Sequence, residues 1–213
     1  MSEYIFTVDE ATQKLYTGLS ETIGWRYLKS QRCLKKIVED LVFEIDFYSS
    51  KWNLSHHSVE VNAAFILWYK RYGQLPIDNV IAEISYRPEL YRTCDGYWYD
   101  ISTEEKLNSA FKDLNYRIQN TAVNLCTQFE NDYLTAAESL LKEHFEKYSV
   151  RLDFIADTLG ISAIKEKAQE IYDNLSDGMK KQVSDYKNGA KNKAWMINRN
   201  NLKYIIDNDL IDL

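Results

Sequence analysis

Glu44, Asp46 and Glu60 are the carboxylates in this sequence whose spacing could do chemistry. Glu44 and Asp46 stand two apart in an alternating run, so on an extended chain they project from one side. Glu60 holds the same parity in the run that follows. Two carboxylates from one strand and a third from its neighbour could hold a cation, or divide acid and base work by pushing their pKa values apart. The alternative is a solvated face whose repulsion is offset by Arg32, Lys35 or Lys36 on the next strand. Tyr48, Trp52 and Trp68 stand in the same region. Together with the three acids they make an acidic, aromatic-rich surface suited to protein contact.

Other candidate chemistries are thinner. His56 and His57 occupy the polar stretch between the two runs, but adjacent strand residues point to opposite faces. Neither HxH, HExxH nor a cysteine cluster accompanies them, so the pair reads as a hairpin tip, and neither a metal site nor a cofactor is expected. GxSxG, GxGxxG and P-loop motifs are absent, which turns the reading away from an enzyme. A small enzyme or ligand-binding protein using the acidic face or the His56-His57 turn stays open as an alternative. Nucleic-acid binding is the other alternative. Between Trp25 and Val38 stand five basic residues (Arg26, Lys29, Arg32, Lys35, Lys36) and no acid, with Trp25 and Tyr27 able to stack a base. Lysines guarding an edge strand would leave the same pattern. A second basic stretch, Met179 to Lys203, opposes seven Lys and Arg to Asp185 alone.

The elements that must carry these residues follow from periodicity. Phe43, Ile45 and Phe47 alternate with Glu44, Asp46 and Tyr48, and Val59, Val61, Ala63, Phe65 and Leu67 continue at the same period, which predicts two antiparallel strands with one dry face. A meander is expected over Tyr27–Lys29, Cys33–Val38, Leu41–Ser49 and Ser58–Tyr69. Tyr72 to Gly96 reads as loop-rich around a short apolar piece from Val80 to Ile84, and Tyr97–Ile101 as a last strand. Ahead of the sheet, Thr7 and Glu10 have capping-box spacing for a helix that Gly24 stops. Ser102 and Glu105 repeat the box, and helical spacing then runs to the end, with Gly160 and Gly189 as stops. The expected class is α+β: an N-terminal helix and antiparallel meander over 1–101, then an all-helical half over 102–213 packed on it as one fused unit.

The net charge of −6, about −3 in each half, disfavours a general binder of nucleic acid or anionic membranes. Three widely spaced cysteines fit reduced thiols. The first residues show no secretory pattern and no stretch is apolar enough for a membrane span, so a cytoplasmic protein is expected. The run from Gly24 to Asn53, with Ser50-Lys51-Trp52 near its end, resembles bacterial proteins grouped as domain of unknown function 4304, over about the first hundred residues. The resemblance implies an immunity-type or interaction role in toxin systems, and it carries over no site residues. The expectation is a non-catalytic module that binds another protein through Glu44, Asp46, Tyr48, Trp52, Glu60 and Trp68.

Overall fold

The computed structural model describes residues 5–51, 53, 59–70, 80–89, 96–189 and 201–211. Thr7 opens helix α1 (Val8–Ile23) with the reciprocal box its sequence spells. Its Oγ1 accepts the Glu10 N–H at 3.3 Å, and the Glu10 carboxylate accepts the Thr7 N–H at 2.9 Å. Gly24 ends the helix at a φ of +72°, a left-handed conformation that a Cβ would strain, and its N–H reaches the Ser20 carbonyl at 2.9 Å.

The chain then lays down β1 (Arg26–Leu28), β2 (Cys33–Val38), β3 (Leu41–Ser49), β4 (Glu60–Tyr69), β5 (Val80–Tyr86) and β6 (Tyr99–Asp100). All pairings are antiparallel in the order β1-β2-β3-β4-β5, with β6 pairing the first residues of β4. The α+β class expected from the sequence is the observed one. Differences lie at the far edge of the sheet. The Tyr97–Ile101 strand shrinks to Tyr99–Asp100, and the apolar piece inside the loop-rich region is a full strand, β5.

Strict alternation places the core. Phe43, Ile45 and Phe47 of β3 and Val61, Ala63, Phe65 and Leu67 of β4 are buried, while Glu44, Asp46, Asn62, Ala64 and Ile66 on the opposite face keep partial exposure. Each such large side chain contributes roughly 1.5–3 kcal/mol by leaving water. Helices line the core face. Tyr16 of α1 stacks on Phe47 with ring centroids 4.0 Å apart, and Phe129 meets Phe43 edge-on at 5.9 Å.

Phe129 belongs to α3 (Asn124–Asn131), which continues α2 (Glu104–Ile118) through a π-helical turn, Gln119–Val123. In that turn Thr121 Oγ1 donates to the Arg117 carbonyl at 2.6 Å and lies 2.7 Å from the buried Tyr86 hydroxyl. The cap of α2 is Thr103, one residue later than the Ser102–Glu105 box suggests. The Ser102 hydroxyl instead donates to Asp100 Oδ1 at 2.6 Å, and Thr103 Oγ1 accepts the Lys106 N–H at 3.4 Å.

The chain divides into two compact units, Met1–Asn131 and Asp132–Leu213. The change from strands to helices at Ser102 is therefore not the boundary between them. The second unit contains α4 (Tyr133–Lys142), α5 (Leu152–Leu159), a short 3-10 turn at Ile161–Ile164, α6 (Lys165–Asp173), α7 (Asp177–Lys187) and α8 (Leu202–Asp207). Asp132 caps α4, accepting the Leu134 and Thr135 N–H groups at 3.1 Å. Asn201 ties α8 to the start of α5, accepting the Leu152 N–H and donating to the Val150 carbonyl. Among the described residues no helix is long and apolar enough to cross a membrane.

Candidate functional site

The polar cluster of the first unit sits on the sheet face opposite α1 and α3, and the β2–β3 hairpin builds it. The turn Glu39-Asp40 sets Val38 against Leu41, so pairing back from it places Lys35 opposite Glu44 and Cys33 opposite Asp46. Residues directly opposed on antiparallel strands share a face with Cβ atoms roughly 4.5–5.5 Å apart. Four polar side chains are thus brought together by backbone register alone.

Their contacts are specific. Lys35 Nζ lies 2.7 Å from Glu44 Oε2, and Trp68 Nε1 donates to the same oxygen at 3.2 Å. The ammonium also stands 5.4 Å from the centre of the Trp68 ring. Tyr48 donates its hydroxyl to Asp46 Oδ2 at 3.3 Å, and the Cys33 thiol faces Gln31 Oε1 at 3.8 Å. One ligand atom each from Cys33, Glu44 and Asp46 falls within 4.8 Å of the other two.

Electrostatics separate the two acids. Burial pushes Asp46 up, and the hydrogen bond and charge of Glu44 push it further, to about 7. Glu44 feels the same burial, but the hydrogen bonds from Lys35, Asp46 and Trp68 and the Lys35 charge outweigh it, so its carboxyl lies below the ordinary value. The pair therefore carries a proton near neutrality, held on the Asp46 side. Burial raises the Cys33 thiol to about 12, helped by the Glu44 charge, so without a further cation the sulfur stays protonated and is no nucleophile. The Tyr48 phenol is likewise pushed up to about 12, first by burial and then by Asp46.

Of the six candidate residues, Glu44, Asp46, Tyr48 and Trp68 come together here. Glu60 does not. It has the right parity, but it pairs with Asp100 at the start of β4, four residues from Ala64, the partner of Asp46. Four residues of strand span about 14 Å, so the three-carboxylate arrangement is not formed. Trp52 and the His56-His57 turn lie outside the described residues. His144 packs edge-on against Tyr148 in the second unit.

The basic stretches are largely spent internally. Trp25 is buried against Phe43, and Tyr27 meets Tyr16 edge-on, so neither ring forms an open stacking platform. Lys35 and Lys36 point to opposite faces, the latter 2.6 Å from Glu130 of α3. In the second stretch Lys180 reaches the Asp173 carbonyl, Lys187 pairs with Asp209 and Lys203 with Asp207, while residues 190–200 lie outside the described set.

Cys33 and Gln31 escape a search by residue type, since a lone cysteine and a glutamine carry no motif. Their signal was the two-residue turn: five steps back from Val38 is Cys33, and five forward from Leu41 is Asp46. What fold and site define together is an α+β chain with a thiol, two carboxyls and a lysine converging on one sheet face. No family model, curated protein or solved structure matches the chain.

Proposed function

We propose that this chain is a non-catalytic, intracellular protein-binding module whose contact surface is the Tyr48/Trp68 face of the sheet. One observation carries the reading: on that face Ile37 is 50% and Tyr48 46% exposed, although both lie within strands. Between them run the partly exposed Ile66 and Trp68 and the polar cluster around Lys35 and Glu44. Large apolar and aromatic side chains held rigid by a sheet, with charged groups among them, are the composition of a protein contact. The raised thiol of Cys33 and the ion pair on Glu44 argue against a nucleophile or an unencumbered general base at this place. A toxin would be one such partner, as the resemblance to domain of unknown function 4304 implies.

The test is affinity capture from the native lysate with the unmodified chain and with Tyr48→Glu and Ile37→Lys side by side. The expected result is a stoichiometric protein that the unmodified chain retains and both variants lose. Recovery of no partner, or of one that the variants hold equally well, would refute this surface.

A further inference from the structure

We propose that Cys33, Glu44 and Asp46 bind a single divalent transition-metal ion of borderline softness, with zinc the best match. This inference does not depend on the protein-binding reading. Its basis is the placement of donors. Glu44 and Asp46 project from one strand two residues apart, and Cys33 stands directly across from Asp46 on the neighbouring strand. Their ligand atoms already lie within 4.8 Å of one another. Bonds of about 2.0–2.3 Å in a tetrahedral zinc site set ligand atoms roughly 3.3–3.8 Å apart, so small side-chain rotations close the triad.

A second observation concerns the sulfur itself. A structural cysteine lies in apolar surroundings, where it behaves as a small hydrophobe. Cys33 is 0% exposed, yet its thiol faces two carboxyls and the Gln31 amide oxygen. That setting is poor for a thiol and good for a metal-bound thiolate. Three groups that bind metal as anions converge on one ammonium, Lys35, and a dication supplies the missing charge.

The donors are also held from behind. Lys35 and Trp68 both grip Glu44 Oε2, which turns the other carboxylate oxygen to the cluster, and Tyr48 holds Asp46 Oδ2. Such outer partners orient ligands in metal sites. A sulfur donor selects against magnesium and calcium, which take oxygen ligands. On binding, the thiol proton leaves to solvent and Lys35 keeps its place on Oε2. The fourth tetrahedral position is left to water.

The experiment uses the full chain in a C94S/C126S background, so that Cys33 is the sole thiol, stripped with chelator and titrated with Zn²⁺ by calorimetry and with Co²⁺ by absorbance. Expected are one ion per chain and a thiolate-to-cobalt charge-transfer band. Cys33→Ser should abolish the band, Glu44→Gln and Asp46→Asn should each weaken binding by about tenfold or more, and His56→Ala with His57→Ala should change nothing. Should Cys33→Ser fail to fold by circular dichroism, the band in the parent and the two carboxylate variants decide the matter. Absence of binding overturns the site. So does binding without the band, binding that follows His56 and His57, or binding indifferent to both carboxylate variants.

Discussion

Lys35 does at Glu44 what no other cation near it does: it sits 2.7 Å from a carboxylate whose side chain is only 15% exposed. Lys35→Met leaves that charge without its partner, so stability should fall by about 1–3 kcal/mol at neutral pH. Adding Glu44→Gln should recover most of the loss, and urea unfolding of the singles and the double gives the coupling directly. Asp46 makes the opposite prediction. Its folded pKa of about 7 lies above the ordinary carboxyl value, so between about pH 4 and 7 the folded chain binds more protons than the unfolded one. Stability contributed by the proton is complete below that window and is lost as pH rises through it. Asp46→Asn in metal-free protein should therefore flatten the drop in unfolding midpoint between about pH 4 and about pH 7.5. A drop as steep as in the parent would mean that Asp46 titrates normally.

The elements obey their local signals where no competitor stands nearby. Thr7→Ala removes both arms of the α1 box and should cost about 1 kcal/mol by thermal or urea unfolding. At α2 the competitor is Asp100, whose carboxylate captures the Ser102 hydroxyl and N–H and leaves the cap to Thr103. Thr103→Ala should accordingly lose a cap's worth of stability. The two central strands were legible because a dry face and a wet face impose a period of two. β5 was not: a register shift between Leu67 and Trp68 lets neighbouring Ile81 and Ala82 both bury, which erases the alternation that marks a strand. The candidate site was half legible. Glu44, Asp46, Tyr48 and Trp68 share a face by parity, whereas choosing Glu60 as the third acid took parity for proximity and ignored position along the strand.

At the scale of the molecule, the first unit contains all six strands together with α1, α2 and α3. Its Phe43 ring meets Trp25, Phe65 and Phe129, all from the same unit, so Phe43→Ala should cost about 3–5 kcal/mol. A fragment ending at Asn131 should keep the sheet's circular dichroism and unfold cooperatively; a disordered spectrum would show that the remainder of the chain is needed. Composition misplaces this division because α2 and α3 are helices that serve a sheet. Their joint, Gln119–Val123, winds in one residue more than a regular α-helix would, which turns everything beyond it by about 100°. Losing Asn120 would straighten the rod and swing Phe129 off Phe43 and Glu130 off Lys36 together. Substitutions there can be absorbed singly, but a missing codon would lift the lid from the barrel-stave side chains beneath it.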